Sequence, residues 1–402
     1  MINLKNPILK GSIILLLLIG FFNFLNFLYQ VLMARTLSIE DFGLLKRVFV
    51  FLYFGGVLME SMQTIITKYS STESKESKLK GILIKSFRKI KPFVFTVFFL
   101  FLLLSIVICI VFKIPYSLLL LTGIFLACSM IAAIPRGIIQ SQKRFYALGL
   151  SIVSEGLFKV IISLVLVLLG WKVYGAIGGV LAGIIISFFI SLFYLKKVLL
   201  TKESEVELSG IRNYGWPVLI TTTVLIGFFN LDVLFAGYFF DDISAGIYAI
   251  ASTIAIIIFI GVQPINKVLF PITARNTTDG KSSKKSFIKS LILILLLSTC
   301  ALVVMALFPD LLVQIISGRA IPEVSSILII LGLGTSSLAV TSLILYYKLS
   351  QGKTSGYRYL LIFLLIELIL LITFHNTLMS YALAFLFSNI IFLIGSIFML
   401  NK

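Results

Sequence analysis

The chain has 402 residues, 59% of them hydrophobic and only 12% charged, with a mean hydropathy of +1.12. That balance excludes a soluble globular protein. The formal net charge of +18 would fit a nucleic-acid partner, but the placement of the cations along the chain assigns it to membrane topology instead.

Crossing about 30 Å of hydrocarbon takes roughly 20 apolar residues. Twelve runs of that order are present, at 11–34, 43–66, 92–112, 116–134, 146–170, 173–198, 214–238, 244–270, 288–307, 324–347, 357–374 and 378–399. The first is too long for the apolar core of a signal peptide and is expected to stay as a membrane span. Basic residues crowd every even-numbered loop: Lys68 and its followers after span 2, Arg136, Lys143 and Arg144 after span 4, Lys196, Lys197, Lys202 and Arg212 after span 6, then Lys281, Lys284 and Lys285, then Lys348, Lys353 and Arg358. The odd loops are short and carry acids such as Glu40, Asp41, Asp241 and Asp242. The alternation predicts both termini on the cytoplasmic side of the cell membrane. Cys109, Cys128 and Cys300 all fall in apolar runs, too scattered for a disulfide framework or a metal site.

Within span 1, Asn23, Asn26 and Gln30 recur at helical spacing and form one polar stripe on a greasy helix. Its LIGFFN, 18–23, returns verbatim at 225–230 in span 7. At an offset of 203 residues, Gly43 matches Gly246, Glu60 matches Gln263 and Gln63 matches Asn266. Two six-span halves that enter from the same side form a parallel repeat, with a pseudo-twofold along the membrane normal. The expected domains are an N-terminal six-helix lobe, 1–200, and a C-terminal one, 201–402. Residues 79–90 have apolar positions on one helical face and lysines or Arg88 on the rest, and read as a basic amphipathic helix on an anionic membrane surface.

Ionisable residues inside spans carry the functional signal. Glu60, Glu155, Lys159, Asp232 and Glu367 would together cost on the order of 15 kcal/mol if they faced lipid, so they face protein or water. Glu155 and Lys159 stand four residues apart and read as an ion pair or a coupling site. The remaining candidates for a polar substrate cavity are Asn23, Asn26, Gln30, Arg47, Glu60, Gln63, Asn230, Asp232, Gln263 and Asn266. A pseudo-twofold would set the equivalent polar faces opposite each other in a central cleft.

Two segments resemble a known family: ARTLSIEDFGLLKRVFVF at 34–51, and RGIIQSQKRFYALGLSIVSEGLFKVIISLVLVLLGWKVYGAIGGVLAG at 136–183. They are similar to the polysaccharide-biosynthesis flippases, in the superfamily that also holds multidrug and toxic-compound extruders and lipid II flippases. The resemblance implies an all-α polytopic membrane protein of the MATE/flippase type, with twelve to fourteen helices in two lobes. It also implies export of a polyprenyl-phosphate-linked oligosaccharide by alternating access. The partners expected are that lipid-linked oligosaccharide, membrane lipids, and Na⁺ or H⁺ as a coupling ion, with no cofactor, metal or nucleic acid. Two other functions were weighed: a cation-coupled multidrug extruder of the same superfamily, and a membrane glycosyltransferase or polymerase. The last is disfavoured, because no Gly-rich phosphate loop, nucleophile elbow or metal-ligand spacing occurs.

Overall fold

The structure, a computed structural model, describes residues 7–71, 73, 75–204, 215–278, 282–351 and 357–400. Among these residues every regular element is a helix. The chain divides into two compact units, Met1–Asn213 and Tyr214–Lys402.

The first unit contains α1 (Pro7–Thr36), α2 (Ile39–Ser70), α3 (Glu76–Phe112), α4 (Tyr116–Ser141), α5 (Phe145–Leu166), α6 (Lys172–Tyr194) and the short α7 (Lys196–Leu200). The second contains α8 (Gly215–Phe239), α9 (Asp242–Ala255), α10 (Ile257–Thr278), α11 (Lys284–Leu307), α12 (Pro309–Ser317), α13 (Pro322–Ser350), α14 (Leu360–Thr373) and α15 (Leu378–Leu400).

Ten stretches among the described residues are long and apolar enough to cross a membrane. One of them, Phe145–Tyr194, is itself a hairpin. The helix passes through a π-turn at Val167–Trp171, where Gly170 takes φ 90° and the next helix begins at Lys172 with φ 45°. The chain then runs back along α5. Gly175, Gly179 and Gly183 put three bare positions on one face of α6. A β-carbon built at Gly179 would lie 2.4 Å from the Ser163 backbone nitrogen, and one at Gly183 would lie 2.6 Å from the Glu155 carbonyl. Small residues let two membrane helices approach to backbone contact, which is how they gain packing energy where lipid offers no hydrophobic drive. Gly179→Ala is therefore expected to push α5 and α6 apart and cost ~1–3 kcal/mol. The check is the thermal denaturation midpoint in detergent; an unchanged midpoint would show that the hairpin absorbs the methyl group.

The same helix neighbours recur in the two units. In the first, α4 packs on α2, α3 and α6, while α5 packs on α1 and α6. In the second, α13 packs on α9, α10, α11 and α15, while α14 packs on α8 and α15. The helix caps follow the repeat as well. The Ser38 hydroxyl accepts from the Asp41 N–H at the start of α2. Asp241, 203 residues later, accepts from the N–H groups of Ile243 and Ser244 at the start of α9. The Ser244 hydroxyl and N–H hold the Asp241 carboxyl below the usual carboxylate range. This cap contributes at neutral pH and is lost as pH falls through that lowered value.

The basic segment at 79–90 is not a separate helix. It is the first third of α3, which runs unbroken through Pro92 for 37 residues. Leu79, Ile82 and Leu83 are buried, and Leu79 and Leu83 pack with Ile66, Ile134 and Ile138 in one core cluster. Its apolar face is thus spent on α2 and α4 rather than on lipid.

Candidate transport path and buried charge clusters

Open surface on membrane helices is normally greasy, and on α3 it is: Phe93, Phe95, Phe99, Leu103 and Leu104 are all exposed. On α2 it is not. Gly56, Glu60, Thr64 and Lys68, four residues apart in succession, are the exposed line of that helix. A carboxylate in that line would cost ~3 kcal/mol against hydrocarbon. On α1, Asn23 and Asn26 are half-buried, and Gln30 is buried with no partner for its Oε1 among the described residues. Gln263 on α10 is half-buried beside exposed Gly261 and Pro264.

Several residues expected in a cavity are instead bonded inside their own unit. Gln63 donates from Nε2 to Gln140 Oε1 on α4 at 2.8 Å, and Thr67 reaches the same oxygen. Asn266 donates to the Ser342 hydroxyl on α13 at 2.9 Å. These two amides occupy equivalent repeat positions, and each ties its helix to the central helix of its unit, α4 or α13. Asn230 is buried and donates to the Ile226 carbonyl of its own helix at 2.9 Å. Arg47 is buried, and its Nη1 donates to the Phe112 carbonyl at 3.0 Å, in the last turn of α3. A helix end has unpaired carbonyls and a negative pole, so an arginine there needs no substrate to explain it.

Glu155 and Lys159 do not pair with each other. Glu155 Oε2 lies 2.6 Å from Arg136 Nη2 on α4, a residue read from the sequence as a loop cation but only 3% exposed within the helix. Arg136 also donates to Ser151 Oγ at 3.2 Å and to the Ser187 hydroxyl on α6, and Ser151 bonds Ser191 at 2.7 Å. One guanidinium thereby joins α4, α5 and α6. Lys159, also buried, donates to Asn26 Oδ1 on α1 and sits 4.9 Å from the centre of the Tyr29 ring. The ammonium is held by an amide and an aromatic face. The i, i+4 spacing pointed to the wrong partners because the true ones stand on neighbouring helices.

In the second unit, Asp232 is 1% exposed, and its Oδ2 accepts from the Tyr248 hydroxyl on α9 at 2.9 Å. Tyr381 on α15 donates to the Asp232 carbonyl at 2.7 Å, and its ring lies 5.1 Å from that of Tyr248. Glu367 on α14 is fully buried and near enough to Asp232 to feel its charge. Neither Glu367 carboxyl oxygen has a hydrogen-bond partner among the described residues. Asp232 therefore sits in a buried cluster with Glu367, Tyr248 and Tyr381 among the described residues. The tyrosines were invisible from sequence, since 16 and 149 residues separate them from Asp232.

The family model described as polysaccharide biosynthesis protein matches residues 32–326. The chain belongs to that family. The chain has the fold of solved transporters. An inward-facing multidrug resistance MATE family transporter of the MOP superfamily aligns with a TM-score of 0.71 at 10% identity, over 94% of each chain. The lipid II flippase MurJ, in an inward closed conformation, aligns with a TM-score of 0.72 at 17% identity, over 97% of this chain and 88% of its own. A MOP superfamily transporter from Pyrococcus furiosus gives 0.61 at 13% identity, over 98% and 95%. No curated protein matches the sequence. The protein is thus an all-α, multi-pass membrane protein of MATE/MurJ fold.

Proposed function

We propose that the protein is a flippase, and not an enzyme, that moves a polyprenyl-phosphate-linked oligosaccharide from the inner to the outer leaflet of the cell membrane by alternating access. The observation that carries this reading is the open line Gly56, Glu60, Thr64 and Lys68 on α2. A polar, small-residue track on an otherwise apolar helix gives hydroxyl-rich cargo a wet surface, while a polyprenyl tail stays in lipid. Asn23 on α1 adds to this polar surface in our reading, and Gln263 on α10 repeats the Glu60 position in the second unit. Membership of the polysaccharide biosynthesis family and the likeness to a lipid II flippase support the cargo class. The alternation of basic loops supports twelve crossings, both termini inside, and an outer location for the α1–α2 and α5–α6 turns.

The Asp232 and Glu367 cluster supports coupling to H⁺ or Na⁺, since two neighbouring buried acids are relieved by a proton or a cation. A cation-coupled multidrug extruder would use the same cluster, and the MATE likeness supports it. The two readings separate on cargo. Proteoliposomes loaded with a polyprenyl-linked oligosaccharide should show protein-dependent exposure of the glycan, and Glu60→Ala should reduce it by about tenfold or more while the protein stays folded and inserted. Drug efflux without glycan exposure would overturn the flippase reading, and full glycan exposure in Glu60→Ala would overturn the role of the α2 track.

A further inference from the structure

At the end of the first unit opposite its basic loops, the start of α2 and the α5–α6 turn border an open cleft of about 400 Å³. Asp41, Leu44, Trp171, Lys172 and Tyr174 line it. Trp171 is 60% and Tyr174 39% exposed, so one aromatic ring stands largely uncovered and a second partly so at this cleft. Lys172 Nζ and Asp41 Oδ2 lie 3.5 Å apart at the cleft, and the Tyr174 and Ser117 hydroxyls are 2.6 Å apart.

The turn that forms this cleft is not a relaxed connection. Gly170 takes φ 90° and ψ 6°, and Lys172 takes φ 45° and ψ −131°, a region that favours glycine. Between Gly170, whose positive φ costs glycine nothing, and the strained Lys172, Trp171 is turned outward. Interfacial aromatic residues of a membrane belt need no such backbone. An acyl chain is a poor occupant, because it would strip water from the Asp41–Lys172 pair and return no hydrogen bond. A pyranose ring satisfies both halves of the lining. Its C–H face carries slight positive charge and lies on the electron-rich face of an indole or phenol, while its hydroxyl rim donates to a carboxylate and accepts from an ammonium.

We propose that this cleft binds a pyranose unit of the glycan on the outer side of the membrane, receiving the headgroup as it leaves the transport path. The proposal rests on the flippase reading above. It assigns Trp171 and Tyr174 as the stacking walls and Asp41 and Lys172 as the hydroxyl-reading pair.

The protein has only two tryptophans, Trp171 and Trp216, so Trp216→Phe leaves a single reporter inside the cleft. The probe is the water-soluble glycan pool released by mild acid from the host's own polyprenyl-linked lipids, titrated against purified protein, with glycerol as the control. A saturable change in Trp171 emission is expected, weakened about threefold to tenfold by Tyr174→Ala and by Asp41→Asn. If Trp216→Phe does not fold, 5-fluorotryptophan in the parent protein gives the same readout from the Trp171 resonance. No saturable change, a change matched by glycerol, or one indifferent to both substitutions overturns the proposal. Glycan transport is measured on the same preparations. Transport without binding removes the cleft alone, whereas binding without transport supports the cleft and removes the flippase reading.

Discussion

Replacing Glu367 with Gln is expected to reduce transport by about tenfold or more, equivalent to ~1.4 kcal/mol or more of lost coupling, while thermal stability stays equal or rises. Two physical facts combine here. Glu367 is completely buried, neither carboxyl oxygen has a hydrogen-bond partner among the described residues, and Asp232 stands close by. As a structural element this is a poor arrangement: an unsatisfied buried carboxyl costs about 1–3 kcal/mol or more, so an amide or an apolar residue of similar shape should be tolerated. A group that destabilises its own fold is explained if it binds something during the cycle. A proton or a cation entering beside Asp232 and Glu367 removes their repulsion, and its departure restores it. Asp232→Asn should act in the same direction, with some loss of stability because Tyr248 bonds the carboxylate. The paired measurement is transport in vesicles under imposed H⁺ or Na⁺ gradients, and thermal denaturation in detergent. Full gradient-driven transport in both variants would remove the coupling role, and a large loss of stability in Glu367→Gln would make the residue a structural one.

Arg136→Ala is expected to be the most destabilising single change in the first unit, at about 3–5 kcal/mol. The guanidinium is bonded to Glu155 and to the Ser151 and Ser187 hydroxyls, and it links three helices. Truncating it strands a carboxylate in a site that is nearly dry. Glu155→Ala strands the guanidinium in turn and should cost a similar amount. Replacing both residues by Leu should recover much of the loss, since the pair's own net worth is small once neither charge is left alone. Thermal midpoints of the two single variants and the double variant decide this. A Glu155→Ala protein as stable as the parent would mean that Arg136 is held by the serines alone.

The helices were legible because burial in lipid writes itself as long apolar runs, and because the loop cations alternate. What the sequence could not show was which helix each polar group meets. Periodicity reveals partners one turn away on the same helix, and so joined Glu155 to Lys159. The structure gives each a partner on another helix, Arg136 on α4 and Asn26 on α1. Arg136 was misplaced because a cation next to Pro135 at the end of an apolar run reads as a loop, yet α4 continues to Ser141. The in-register amides Gln63 and Asn266 did report a real repeat, but one of bonding inside each unit rather than of a shared polar surface. The open track on α2 was half visible: Glu60 stood out as an acid inside an apolar run, while Gly56 carried no polar signal and gained meaning only from its exposure.

The least covered helices, α3 and α11, hold equivalent places in the two units, each beside the central helix, α4 or α13. At 37 residues α3 is about 55 Å long, well beyond the ~30 Å of hydrocarbon that it crosses. Its N-terminal end is fixed by core packing, and the length beyond Pro92 leaves phenylalanines and leucines exposed. A change in bilayer thickness therefore acts on this protein first through the tilt of α3 and α11, at fractions of a kcal/mol per Å of mismatch. Helices that touch lipid along most of their length are where membrane composition gains leverage over a transporter whose chemistry is buried elsewhere.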